Sequence, residues 1–191
     1  MIALKHIHSK NVIHRDLKSA NVLLNFTEEK ESTSKKREDS ELIEATFKIT
    51  DFNISTFTST GYDSAQTGTP YYASPEMLLK KLYSYNNDIW SLGVTFYEFI
   101  TLELPFKAET IDQMIVAHQN TKVKQIPSIY SKDLSKIIFK MLTYGHSCRP
   151  FTDNLLEDPV VTRKIKEIFG DETKMEEVRI EKIDGNNISK K

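Results

Sequence analysis

The sequence is poor in features that mark several protein classes. Its one cysteine, Cys148, can build neither a disulfide framework nor a multi-cysteine zinc site, so a reducing, intracellular setting is the expectation. It has almost no net charge. Its 26 basic and 27 acidic side chains leave −1, a balance that excludes bulk electrostatic binding of nucleic acid or an anionic membrane. A long apolar run is also missing: the stretch Ile89 to Phe106 is broken by Ser91, Glu98 and Glu103, which argues against a membrane span. The opening residues, Met1-Ile-Ala-Leu-Lys-His, hold no apolar core of the length that a secretory signal needs. With no secretion route expected, the glycosylation-like triplets at Asn25, Asn53 and Asn187 read as chance matches.

What is present is an ordinary globular mixture, 39% hydrophobic and 28% charged over 191 residues. That suffices for one core and suggests one domain, or one domain plus a tail. Residues 1 to 10 are helix-compatible and run into a short extended piece at 11 to 13. Val22-Leu23-Leu24 and Phe47-Lys48-Ile49 read as two paired strands. Between them, ten of the fourteen residues from Glu28 to Glu41 are charged. Such a segment cannot bury enough apolar surface to order itself, so residues 27–46 read as a disordered hairpin insertion.

Residues 53 to 70 are rich in Ser, Thr and Gly and lack periodicity, which predicts a long loop. Ile89, Leu92, Phe96, Phe99 and Ile100 then recur at helical spacing, predicting a largely buried helix that Pro105 ends. Amphipathic helices are expected near 109–119 and 131–143, with one more at 159–169. From Gly170 the chain is charged and rich in Asn and Lys, and a frayed tail over 170–191 is expected. No internal repeat is present.

The chemistry is concentrated in His14-Arg15-Asp16-Leu17-Lys18-Ser19-Ala20-Asn21. Asp16 has the chemistry to accept a proton from a hydroxyl. Lys18 can neutralise charge on a group in transfer, and Asn21 can hold a hard cation through its side-chain oxygen. Asp51-Phe52 follows the second strand, so a hairpin would bring a further cation ligand alongside. A proton acceptor beside two oxygen ligands is what phosphoryl transfer requires.

These residues resemble the C-terminal lobe of a eukaryotic protein kinase. His14 to Asn21 matches the catalytic loop, and Asp51-Phe52-Asn53 stands where Asp-Phe-Gly is expected. Ser74-Pro75-Glu76 stands for Ala-Pro-Glu, Asp88-Ile-Trp-Ser-Leu-Gly93 for the buried helix that follows, and Cys148-Arg149-Pro150 for the late arginine. Lys18 and the run Gly68-Thr69-Pro70-Tyr71-Tyr72 are similar to serine/threonine kinases. With Tyr97 to Phe106, that run looks most like the NIMA-related (Nek) group.

The resemblance implies a mainly α fold with a small β-hairpin, a kinase C-lobe over 1–169 with an activation segment at 51–76. It implies ATP and Mg2+, with protein serine or threonine hydroxyls as substrates. Asp16 would be the base and Lys18 the γ-phosphate partner; Asn21 and Asp51 would bind magnesium, and Leu23 would floor the adenine site. Arg15 would meet a phosphorylated Ser64 or Thr67, and Thr69 would contact the substrate. Glu76 with Arg149 would be a buried structural ion pair, and Asp88 would tie down the catalytic-loop backbone.

The same resemblance exposes departures. No Gly-x-Gly-x-x-Gly and no Val-Ala-Ile-Lys-like strand occurs, so the small lobe is expected to be absent and nucleotide binding weak. The surface where that lobe would pack is then a partner site. Asn53 replaces glycine, and Asn is among the residues best able to keep a left-handed turn. Two readings follow: a catalytic lobe belonging to a longer kinase, and a pseudokinase-like module that binds proteins without catalysis.

Overall fold

In the computed structural model, the described residues are 1–25, 46–52, 55–57, 62–63, 70–79 and 83–170. They fall in two units, Met1–Leu156 and Glu157–Lys191. The expectations for residues 27–45, for Asn53, Ser64, Thr67, Gly68 and Thr69, and for the tail beyond Gly170 lie outside the described residues.

The first unit opens with helix α1, Ile2–Ser9. It stops at Asn11, whose φ of 59° is left-handed and whose N–H is accepted by the His8 carbonyl at 2.9 Å. Asparagine takes that conformation more readily than most residues, so it serves as a helix stop. Strand β1, Val12–Ile13, follows. A single 3-10 turn at Ser19–Asn21 leads into β2, Val22–Asn25. Strand β3, Thr46–Ile49, pairs with β2 antiparallel, with Val22 opposite Ile49 and Leu24 opposite Phe47. Thr46 thus belongs to the strand, opposite Asn25, and not to the insertion.

Two further strands lie where the sequence reads as one aperiodic loop. Strand β4, Thr56–Phe57, pairs with β1. Strand β5, Tyr62–Asp63, pairs with β6, Tyr83–Ser84. Two-residue strands carry no periodicity, so no pattern announces them. The described residues therefore hold three small antiparallel pairs rather than one hairpin, on a mainly helical body.

Helix α2, Pro75–Leu78, begins where a helix should. Ser74 caps it by accepting the Met77 N–H, and Pro75 occupies the first turn, where a missing N–H costs nothing. Helix α3, Tyr85–Thr101, is the longest. Its first turn is closed by Asn87, whose side-chain oxygen accepts the Ser84 N–H at 2.7 Å. It ends at Thr101, before Pro105, because Leu102 turns left-handed with φ 56° and returns its N–H to the Glu98 carbonyl at 2.8 Å. Its inner half is buried, including Ile89, Trp90, Leu92 and Val94, whereas Phe99 is exposed and Phe96 and Ile100 half-buried. The stripe read from the sequence thus sinks only where the Ser19–Asn21 turn and a later helix flank α3.

That later helix is α5, Lys132–Met141, capped by Ser131; α4, Ile111–Asn120, capped by Thr110, precedes it. Helices α3 and α5 cross with almost no space between them. A Cβ added at Gly93 would lie 2.8 Å from the Met141 Cβ, so glycine is what permits the approach. Trp90 stacks on Phe106 at 5.5 Å, and His118 of α4 stands edge-on to both rings at 4.9 and 4.7 Å. Burial, then the nearby Arg149 charge, pushes the His118 imidazole down to about 4, although Glu76 pulls it the other way. The short α6, Thr152–Leu156, packs against α1.

In the second unit, α7 spans Pro159–Phe169, with the Asp158 side chain accepting the Val160 N–H at its start. No helix among the described residues is long and apolar enough to cross a membrane.

Candidate active site

The site is assembled by one buried carboxylate. Asp88, in the first turn of α3, accepts the His14 N–H on Oδ2 and the Arg15 N–H on Oδ1, each at 2.9 Å. Its Oδ2 also meets His8 Nε2 at 2.8 Å, from α1. His8 in turn lies against the Tyr85 ring, 4.7 Å between centroids. These bonds hold Arg15 at φ 74°, a left-handed conformation that an arginine does not choose unaided. Asp16 follows immediately, its side chain 12% exposed.

Two groups converge on Asp16. Lys18 Nζ donates to Oδ2 at 2.6 Å. The Asn21 side-chain amide donates to the Asp16 carbonyl at 2.8 Å and to Oδ2 at 3.2 Å. The carboxylate is thus oriented and only partly solvated.

His14 supplies the second fixing point. Its Nδ1 accepts the Asp16 N–H at 3.3 Å, so its other nitrogen is the donor, reaching the Thr50 carbonyl at 3.1 Å. The Thr50 N–H is accepted by the Asn21 carbonyl at 3.0 Å. Thr50 is therefore pinned to the 14–21 segment on both sides, through His14 and Asn21, and Asp51 is the next residue. Asp51 is itself left-handed, with φ 64°. The expectation for position 53 lies outside the described residues. Phe52 packs its ring 4.8 Å from that of His14, and Ser55 donates to the His14 carbonyl at 3.2 Å.

Asn21 and Asp51 offer hard oxygen donors, one of them a carboxylate. Magnesium takes one or two carboxylates and completes its shell with phosphate and water, so the donor set fits that ion. Among the described residues no three His, Cys, Asp or Glu side chains come together, so no closed protein cage of those ligands forms. Leu23, on β2, is 52% exposed, and Phe47 across the hairpin 57%; both present apolar surface outward.

Glu76 and Arg149 form a bidentate pair, Nη1 to Oε1 at 2.5 Å and Nη2 to Oε2 at 2.7 Å. The remaining guanidinium hydrogens go to the carbonyls of Thr143, Asn86 and Tyr144 at 2.7, 3.1 and 3.0 Å. The guanidinium also lies 4.9 Å from the Trp90 ring centre. Arg149 is 2% exposed and Glu76 6%, so the pair is an internal strut and not part of the chemistry.

Several site residues escape sequence reasoning. His8 and Asp88 are 80 positions apart, and nothing in a histidine within an ordinary amphipathic helix announces a carboxylate partner. Tyr72, with Ser19 and Glu98, is a second such group. It lines a small hollow beside Arg15, Asp16 and Leu17 together with Ala73, Met77 and Ser91.

A buried carboxylate thus braces a strained loop in which a lysine and an amide converge on Asp16. The protein kinase domain family matches this sequence over residues 1–161, and the chain belongs to that family. Its relatives include the mouse serine/threonine-protein kinase Nek4, 32% identical over 91% of this chain and 20% of the relative. Human Nek2 is 34% identical over 84% of this chain and 34% of its own length. The probable serine/threonine-protein kinase nek1 of Dictyostelium discoideum is 35% identical over 87% and 35%. These relatives bear the names of serine/threonine-protein kinases, and the chain spans between a fifth and about a third of their length.

Proposed function

We propose that this chain is the large, C-terminal lobe of a Nek-like serine/threonine kinase and carries the groups that transfer phosphate from ATP to protein hydroxyls. Asp16 takes the proton of the serine or threonine hydroxyl. The freed oxygen bonds to the γ-phosphorus, the bond from that phosphorus to its bridging oxygen breaks, and ADP leaves. Lys18 offsets negative charge on the group in transfer, and Asn21 and Asp51 would hold magnesium, which supplies charge neutralisation at the phosphates when bound. Leu23 floors the adenine site, Arg15 receives a phosphate on Ser64 or Thr67, and Thr69 meets the substrate. An intracellular, cytoplasmic location accompanies this role.

The convergence of Lys18 and Asn21 on Asp16, braced by Asp88, supports this reading. A module that only binds needs none of Asp16, Lys18, Asn21 and Asp51. The test is ATP-dependent phosphorylation of a serine/threonine peptide mixture by the native-length protein. Asp16→Asn should abolish transfer without altering the melting temperature, and equal transfer by both proteins overturns the reading.

A second reading, a non-catalytic protein-binding module, is favoured by the apolar surface at Leu23, Leu24, Phe47 and Phe52, all exposed. That surface would receive a small lobe or a partner chain. Partner binding lost on Leu23→Glu with Phe47→Glu, with no transfer by the parent protein, would decide for it.

A further inference from the structure

The first turn of α3 carries three consecutive buried polar side chains, Asn86, Asn87 and Asp88, and each reaches a different part of the chain. Asp88 holds the His14 and Arg15 amides, and Asn86 donates to the His146 carbonyl at 2.6 Å. Asn87 reaches two places at once. Its Oδ1 accepts the Ser84 N–H at 2.7 Å and the Ser84 hydroxyl at 3.1 Å. Its Nδ2 donates to Ser74 Oγ at 2.8 Å. Asn87 and Ser74 are each 0% exposed.

The sense of these bonds is fixed. A backbone N–H can only donate, so the amide oxygen faces Ser84 and the amide nitrogen faces Ser74. Ser74 Oγ must then accept, and it accepts the Met77 N–H as well, at 3.4 Å. One buried amide therefore joins the residue that caps α2 to the residue that precedes α3. Ser84 also ends β6, where it stands opposite Tyr62 of β5. Both described flanks of the stretch between Asp63 and Ser74 are thus tied to Asn87, one through β6 and one directly. Other bonds hold the returning flank too, from Arg149 to Glu76 and from Ser91 to the Tyr72 carbonyl. What Asn87 adds is a link between the two flanks. A buried amide passes a change at one end to the other, because turning to suit one partner leaves the second unpaired.

We propose that Asn87 is a positioning residue that sets the segment ending at Ser74 against the start of α3, and so the place where a substrate hydroxyl is presented. The proposal rests on the kinase reading above, in which Thr69, five positions before Ser74, meets the substrate. Asn87 touches no reacting atom. Asp88, and not Asn87, holds the His14 and Arg15 amides, so Asp16 keeps its pose when the Ser74 bond is lost.

The test has two arms on the native-length protein, at matched folding. In the first, Ser74→Ala and the shape-matched Asn87→Leu each raise KM for a serine/threonine peptide about tenfold, the worth of one buried hydrogen bond. KM for ATP and kcat stay within about twofold, a split that partial unfolding does not produce. The double variant is no worse than Asn87→Leu alone. The second arm needs no catalysis. Residue-resolved amide exchange should quicken at Ser84 in Ser74→Ala, although that substitution removes no atom bonded to Ser84, while the His14 and Arg15 amides exchange as before. Should Asn87→Leu not fold, Ser74→Ala alone carries both arms. Ser84 exchange unmoved by Ser74→Ala, an unchanged peptide KM, or additive effects of the two substitutions overturns the proposal. A parent protein without Asp16-dependent transfer overturns the kinase reading instead, and the exchange arm then decides whether Asn87 couples the two flanks.

Discussion

Arg149→Met isolates the internal strut. The substitution keeps length and apolar bulk over Trp90 but removes the charge and all the donated hydrogens. Glu76 then loses both of its bonds to the guanidinium while only 6% exposed. The carbonyls of Thr143, Asn86 and Tyr144 lose a donor each. Removing one partner of a buried ion pair costs about 3–5 kcal/mol, because the remaining charge cannot recover its hydration. Each orphaned buried carbonyl adds about 1 kcal/mol or more unless water reaches it. A domain of this size is stable by only about 5–15 kcal/mol, so the variant should be marginal at room temperature.

Urea unfolding followed by tryptophan fluorescence measures this, since Trp90 is the sole tryptophan and touches the arginine. Glu76→Leu with Arg149→Met should be less damaging than the sum of the single changes, by about 2 kcal/mol or more, because neither charge is then left alone. A loss under about 1 kcal/mol for Arg149→Met would mean that Glu76 finds water, and would refute the account of a dry strut.

Other consequences follow from the packing. His118 holds its proton only below about pH 4 when folded, against an ordinary value near 6.5, so the unfolded chain binds more protons in between. Stability should fall as pH drops through that window, by about 3 kcal/mol in total. His118→Phe should flatten that part of the urea-midpoint profile, and an identical slope in both proteins would count against it. Gly93→Ala should cost about 1–3 kcal/mol in urea unfolding, because its methyl would press on Met141; a neutral effect would show that α3 and α5 can part freely. Asp88→Asn puts an amide where three donors converge. It should slow phosphate transfer by more than its loss of about 1.5–3 kcal/mol in stability explains, read by comparing rate and unfolding on the same preparation.

The sequence was most legible where chemistry is contiguous. Asp16, Lys18 and Asn21 lie within six positions, so their proximity needed only a turn, and the apolar run at 22–24 with the alternation at 47–49 disclosed the hairpin. Glu76 and Arg149 are 73 positions apart, and only the family resemblance joined them. His8 with Asp88, and Ser19 with Tyr72 and Glu98, were invisible because their side chains are of common type and each meeting joins segments far apart in the chain. The end of α3 was misjudged for a local reason. Proline marks the latest possible stop, whereas a left-handed Leu102, helped by Thr101 accepting the Glu103 N–H, stops it sooner. The strain at Arg15 and Asp51 left no trace in residue type, because Asp88 and Thr50 impose it from outside.

The central claim is that Asp16 serves as the proton acceptor of a kinase. The most direct measurement compares ATP-dependent phosphorylation of a serine/threonine peptide mixture by the native-length protein and by its Asp16→Asn form, at matched folding. The account predicts measurable transfer by the parent and a loss of at least about a hundredfold in the variant, the usual worth of a positioned base. Transfer that survives the substitution, or a parent with none, would contradict it.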